Sequence, residues 1–271
     1  MIISNNIEDT KQQVIIDGNV IEHNKIIKIL GTNFIDKLNW NYHINGGKDS
    51  LIANLKQRLN SLKIIAKRVS RKFAKQLANA IIMSKINYNI ETWGATTNQN
   101  RNKIDKIMIE AAKIVLDKET IGRTDNWIMK EIKWLNTEQN YENTLQINIY
   151  KMINLNEEHF MSNYLTKNRN IRNNKQNKVG HHDQSIGRNK YTQQTYLYKS
   201  IEIYNKLPRK LTLIKEVSIF KRWLKKFKWN NNIDLKEQQD NVKEKTKFEC
   251  NPIIMRNCLE EYDNIIYGVN Q

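Results

Sequence analysis

Residues 49–70 read DSLIANLKQRLNSLKIIAKRVS. Leu51, Leu55, Leu59, Leu62, Ile65 and Val69 recur at steps of three and four residues. That spacing places them on one stripe of an α-helix. Lys56, Arg58, Lys63, Lys67 and Arg68 fall largely between them, on the other faces. A helix of this kind is stable only when its stripe is covered, so the segments that follow should supply more helices. They have the right period. Phe73, Leu77, Ile81, Ser84 and Tyr88 give a second stripe, and Ile104, Ile107, Met108, Ala111 and Val115 a third. Trp127, Ile128 and Ile132 suggest a fourth helix capped by Asp125. Tyr141, Leu145, Ile149 and Met152 form a fifth after Asn136 or Thr137, and Val217, Phe220, Trp223, Leu224 and Phe227 a last one capped near Ser218. Residues 168–189 are poor in apolar groups and read as a long loop.

Upstream of Asp49 the pattern is that of strands. Val14-Ile15-Ile16 and Val20-Ile21 flank Asp17-Gly18-Asn19, a hairpin signal because Gly accepts the positive φ of a tight turn. Ile26 to Leu30 is a further apolar run, closed by Gly31 and followed by Phe34-Ile35; Asn45-Gly46-Gly47 then breaks the chain. A hairpin and one more strand leave an open edge and an uncovered face, so this region is expected to be less stable than the helices.

The 271 residues carry a formal net charge of +17, with 39% hydrophobic and 27% charged residues. Such a surplus favours a polyanionic partner. Lys, Asn and Ile share A/T-rich codons, so the distribution of charge is more informative than its total. Ser50 to Ile90 contains nine Lys and Arg and no acid. Phosphates would neutralise a face of one sign. A second basic block runs from Lys206 to Lys228 with Glu216 its only acid, and the stretch after Asn230 turns acidic, eight Asp and Glu against five basic residues. That tail reads as a weakly structured appendage. No apolar run reaches the ~18 to 20 residues of a membrane span. The N-terminus lacks the pattern of a secretory signal, so an intracellular setting, nucleus or cytoplasm, is expected.

Candidate catalytic groups are scarce. Two-metal polymerases need clustered carboxylates, and no Asp-Asp pair stands at a strand turn. Asp17 is explained by its turn, and there is no P-loop. His181-His182 lies in a polar stretch without nearby Cys, and Cys250 and Cys258 lack zinc-knuckle spacing. No catalytic residue, metal ligand or cofactor is assigned. Trp93, Trp127, Trp134 and Trp223 fall on apolar stripes or helix ends and read as core rather than as base-stacking platforms.

The order of several short motifs resembles one family. Lys28-Ile29-Leu30-Gly31, then Leu38-Asn39-Trp40-Asn41 and His43-Ile44, resembles the "KYLG…LxWxxHI" passage of non-LTR (LINE-type, jockey-like) retrotransposon reverse transcriptases. Tyr88 to Gly94 is similar to "YGxExWG", and Ile104 to Val115 to "LEKLQNKALRII". Trp134-Leu135 with Tyr150-Lys151-Met152, and Ile203 to Pro208 with Phe220-Lys221, resemble "WLxxxxR…LYKIL" and "LWNxLP…FKxxLK". The resemblance covers roughly residues 10 to 228. Ile29 replaces the usual Tyr, Asn89 Gly, Met108 Gln, Lys113 Arg and Tyr204 Trp, departures that together suggest a degenerate copy.

The resemblance implies a mainly α protein. A small antiparallel late-palm β remnant would occupy 1–47, with a primer-grip-like segment at Leu30 and Gly31. A thumb-like helical bundle at 48–120, a helical post-thumb region at 121–229 and the tail at 230–271 would follow, making an all-α body. The family's catalytic Asp pair precedes these motifs and has no matching position here, so a non-catalytic C-terminal part is implied. Its retained partner would be RNA or an RNA/DNA duplex, and in a full-length element the rest of the polymerase; no membrane is expected. Lys56, Arg58, Lys63, Lys67, Arg68 and Arg71 would contact phosphates, which positions a duplex without reading its sequence. The competing expectation is a helical interaction protein, or an inert relic, with no nucleic-acid partner.

Overall fold

Ser50 opens the helix that organises the body. In the computed structural model its side chain accepts a hydrogen bond from the Ala53 amide (3.3 Å), capping the helix that runs Leu51–Ala66. The model describes residues 14–21, 24–37, 39–154, 165–167, 179–181 and 196–237. The strands and α-helices begin, in chain order, with β1 (Val14–Ile16), β2 (Asn19–Ile21), β3 (Ile26–Ile29), β4 (Thr32–Ile35), α1 (Asn41–Asn45), α2 (Leu51–Ala66), α3 (Arg71–Ala78) and α4 (Ser84–Asn87). They are followed by α5 (Ile90–Trp93), α6 (Asn98–Leu116), α7 (Asp125–Ile132) and α8 (Thr137–Asn154). The remaining elements are β5 (Leu165–Lys167), β6 (Val179–His181), α9 (Tyr196–Asn205), α10 (Arg209–Thr212) and α11 (Val217–Glu237). The chain divides into two units, Met1–Trp229 and Asn230–Gln271. Of the second, residues 230–237 are described and are helical.

The protein is therefore mainly helical, with antiparallel strand pairs near its N-terminus. Two details of the strands depart from the sequence reading. The N-terminal strands form two separate hairpins, because Leu30-Gly31 is itself a two-residue turn with both φ values positive (46° and 77°). The body is not wholly α: β5, just before the stretch read as a loop, pairs with β6 inside it. The rest of that loop, His182, both cysteines and nearly all of the acidic tail lie outside the described residues.

One core runs through the helices. Leu51, Leu55, Leu59 and Leu62 of α2 are buried against Ile104, Met108 and Ala111 of α6, while Ile65 is 39% exposed. The third and fifth stripes are buried as read, and Trp93, Trp134 and Trp223 are interior. The second stripe is rotated. Phe73 and Tyr88 are about half exposed, and the buried set is Ala74, Ala78, Ile82, Ile86 and Ile90. A strict step of four drifts around a 3.6-residue helix. A π-helical turn over Asn79–Met83, between α3 and α4, absorbs the drift. Caps shift too. Thr124, not Asp125, accepts from the Trp127 amide (3.3 Å), and Asp125 pairs instead with Lys113 (3.0 Å). Asn136 and Gln139 form a reciprocal capping box at α8 (2.8 and 3.0 Å), which leaves the Thr137 hydroxyl to donate to Asp105 (2.6 Å). Ser218 lies inside α11 and bonds the Glu216 carboxylate. Tyr150 stacks on Phe220 (3.9 Å between centroids), joining α8 to α11.

The two hairpins differ in support. In β1–β2, Ile15, Ile16 and Val20 are all more than half exposed. In β3–β4, Thr32 and Asn33 are buried and the Asn33 amide donates to His43 Nδ1 (3.3 Å). Residue-resolved hydrogen exchange should therefore find fast exchange across Val14–Ile21 and slow exchange at Asn33 and Phe34. Equal protection of both hairpins would contradict this docking. A second expectation concerns Gly94. A Cβ there would lie 2.3 Å from the Tyr141 ring and 2.4 Å from the Ile90 carbonyl oxygen. Gly94→Ala should lower the unfolding free energy by about 1–3 kcal/mol in urea titrations; an unchanged midpoint would refute the contact.

Candidate nucleic-acid interface

The tip of the β3–β4 hairpin is built from two residues and anchored by two more. Leu30 takes a left-handed backbone (φ 46°) and leaves its side chain 79% exposed. Its carbonyl accepts a hydrogen bond from the Tyr88 hydroxyl (2.8 Å), and Gly31 lies against the same ring. Asn89 is also left-handed (φ 51°), between α4 and α5. Asparagine is among the few residues that tolerate this conformation, which explains how it can stand where the resembling motif has Gly. The Asn89 amide donates to Thr32 Oγ1 (3.1 Å) and the Trp93 indole to the Tyr88 carbonyl (3.0 Å). The hairpin is thus fastened to the helical body by Tyr88 and Asn89.

Cations gather at this tip. The Lys85 ammonium lies 5.6 Å from the centroid of the Tyr88 ring. Burial, then the nearby Arg58 and Lys28 charges, hold its pKa below the usual lysine value. Arg58 itself donates to the Ile81 carbonyl (3.1 Å) within the π-helical turn. Among the described residues, no carboxylate forms an ion pair with Lys28, Arg58 or Lys85. Behind them, His43 is 6% exposed and ringed by Trp40 and Trp93. Burial, with Lys85 and Lys28, pushes its pKa down to about 4, so it stays neutral at physiological pH.

The residues expected from sequence to touch phosphates separate into groups. Leu30 and Gly31 form the hairpin tip, and Arg58, bonded to the Ile81 carbonyl, lies near enough to Lys85 to lower its pKa. Lys56, Lys63, Lys67 and Arg68 are exposed, and no described carboxylate forms an ion pair with them. Lys56 and Lys63 are seven residues apart on one flank of α2, beside its buried stripe. Arg71 is engaged elsewhere: its guanidinium binds Glu119 (2.6 Å) and Glu131 (3.1 Å). The acid-free run is acid-free along the chain, and folding brings carboxylates to its middle, at Arg71. Lys28, Lys85, Tyr88 and Asn89 were not singled out as site residues from sequence. Their signal lay in the "KYLG"-like and "YGxExWG"-like stretches that contain or border them. Among the described residues, no three His, Cys, Asp or Glu side chains come together as a metal site. No helix among them is long and apolar enough to cross a membrane.

No family model, curated protein or solved structure matches this chain.

The buried His43 gives a pH test of the tip. Its folded pKa, about 4, is below the unfolded 6.5. Between these values the unfolded chain binds more protons, so stability is full above pH 6.5 and falls as pH drops toward 4. The loss attributable to His43 is on the order of 3 kcal/mol at one pKa unit per 1.36 kcal/mol. Urea unfolding at pH 7 and pH 4.5 should show it in the wild type and not in His43→Gln, whose amide oxygen can still accept from Asn33. Identical pH dependence of the two proteins would refute the assignment.

Proposed function

We propose that this chain is a non-catalytic C-terminal portion, thumb and downstream, of a LINE-type reverse transcriptase, and that it holds RNA or an RNA/DNA duplex through phosphate contacts. The observation that carries the binding part is the hairpin tip. Leu30 and Gly31 project beside Lys28, Arg58 and Lys85, three cations with no ion-paired carboxylate among the described residues. Cations kept close together against their mutual repulsion are relieved by an anion. The exposed Lys56, Lys63, Lys67 and Arg68 extend the positive surface along α2 and its end. Support for the family comes from the ordered motifs, whose residues here have definite tasks: Tyr88 and Asn89 anchor the tip, and Trp40, His43 and Trp93 pack behind it. A polymerase step is not part of the proposal, because no pair of carboxylates in this sequence matches the family's metal-binding pair.

Such binding reads the backbone and has a salt signature. About five phosphates contacted would give log K against log salt a slope of about −4 to −5. Lys28→Gln, Lys56→Gln, Arg68→Gln and Lys85→Gln together should flatten it by about 3.6 and weaken unrelated sequences equally. Circular dichroism should be unchanged. The control replaces the exposed Lys210, Lys215 and Lys221 by Gln. Fluorescence anisotropy across a salt series reads both. Comparable losses per charge from the two sets would mean a generally basic surface, and would overturn the dedicated interface.

A further inference from the structure

A line of half-exposed apolar side chains runs along α3 and the π-helical turn after it. Phe73, Leu77 and Ile81 recur at a strict step of four. That step would drift around a regular α-helix, and the wider turn at Asn79–Met83 keeps the three residues in line. Leu77 and Ile81 pack against the core on one side and stay partly exposed on the other, and Phe73 is 51% exposed. The hydrogen bond from Arg58 to the Ile81 carbonyl shows which flank of α2 lies across from this line. Ile65, seven residues after Arg58, is on the same flank and is itself exposed. Ile65, Phe73, Leu77 and Ile81 thus border a shallow groove between α2 and α3, about 12 Å long from Phe73 to Ile81.

The charges of this groove have one sign. Lys85, four residues after Ile81, is close enough to Arg58 for the two charges to interact. Arg68, whose amide donates to the Ile65 carbonyl (2.9 Å), marks the other end. Among the described residues, no carboxylate forms an ion pair with Arg58, Arg68 or Lys85. Glu119 and Glu131 reach α3 only at Arg71, which is two residues before Phe73 and so on the other side of the helix.

Duplex binding leaves the apolar line unexplained. Phosphates would satisfy the cations, but three of the four apolar residues are aliphatic and give bases no ring to stack on. Contiguous exposed apolar groups rimmed by polar ones mark protein interaction sites. A straight groove about two helical turns long suits a helix that anchors itself by residues three and four apart. The cations at both ends call for carboxylates on that helix. We infer that the α2–α3 groove docks an acidic amphipathic helix of a partner protein, its apolar stripe on Ile65, Phe73, Leu77 and Ile81 and its carboxylates toward Arg58, Arg68 and Lys85. The apolar area is small, so the complex is of the weak, transient kind, with a micromolar Kd. This inference goes beyond the duplex reading and does not depend on it.

The test titrates the full chain into a fluorescein-labelled helical peptide of about five turns, Leu on one stripe and Glu elsewhere, read by anisotropy. Two further peptides accompany it, a scramble of the same composition and a twin with Lys in place of Glu. The acidic peptide should bind with a micromolar Kd, and the other two at least about tenfold more weakly. Ile65→Ser with Phe73→Ser should weaken the acidic peptide about tenfold. Both side chains are exposed, so circular dichroism should be unchanged. Ile64→Ser removes a 63% exposed side chain about 100° around α2 from Ile65 and should leave binding as it was. No binding, equal binding of the scramble, or full binding to the double variant would overturn the groove, because charge alone would then account for any affinity. A double variant that also loses the RNA/DNA duplex would assign the line to the nucleic-acid surface and overturn it too. So would self-association, read by sedimentation velocity, that the double variant abolishes, since the occupant would then be a second copy. Failure of the peptide while the duplex keeps its salt slope leaves the duplex reading standing and this inference refuted.

Discussion

The left-handed backbone at Asn89 is the step on which the interface depends. It separates α4 from α5 and turns the chain sharply between two helical segments. Tyr88 is thereby left outside the core, where its hydroxyl reaches the Leu30 carbonyl, while Trp93, one turn later, is completely buried. The Asn89 side chain closes the junction by donating to Thr32. A continuous helix through this point would carry Tyr88 away from the hairpin. A two-stranded hairpin is marginal by itself, and β3–β4 is held because this junction and His43 grip it from one side. The exposed tip and the cations beside it exist as a constellation only because of that grip.

Charge along the chain and charge in space are different quantities here. The run from Ser50 to Ile90 has no acid, yet Arg71 is neutralised by Glu119, in the turn after α6, and by Glu131 of α7. In the second basic block, Lys228 is buried and held by Glu142 of α8 (2.8 Å). Burial lowers its pKa, and the partner carboxylate opposes that shift. What folding leaves without a carboxylate partner, among the described residues, includes Lys28, Lys56, Lys63, Lys67 and Arg68, and Lys85 over its tyrosine ring. These are the positions at which a phosphate could act as counter-ion with no internal ion pair to break.

Much of the helical body was legible because burial imposes a period. Leu51, Leu55, Leu59 and Leu62, and Ile104 through Val115, are interior as their spacing required. Asp17-Gly18 forms the turn its residues dictate, both with positive φ. The second stripe misled because alanine carries little hydrophobic signal. Ala74 and Ala78 define the buried face, and Phe73, the stronger signal, stays half exposed. No local rule announces the π-helical turn that follows. Leu30 at a left-handed turn position was equally invisible, since leucine is a poor choice for positive φ and only the tertiary bond from Tyr88 holds its carbonyl. The ion pairs of Arg71 span 48 and 60 residues, beyond any local pattern. The hairpin tip could be named beforehand through the motifs and Arg58 through the basic run, but Lys28 and Lys85 could not.

The most direct measurement of the central claim is a lysine footprint of the full chain. Brief acetylation with and without an RNA/DNA duplex, followed by mass spectrometry, reports which ammonium groups the ligand covers. The account predicts that Lys28, Lys56 and Lys85 lose reactivity when the duplex is bound, while Lys210, Lys215 and Lys221 keep theirs. Uniform protection of all six, or none at Lys28 and Lys85, would contradict a duplex seated on the β3–β4 tip.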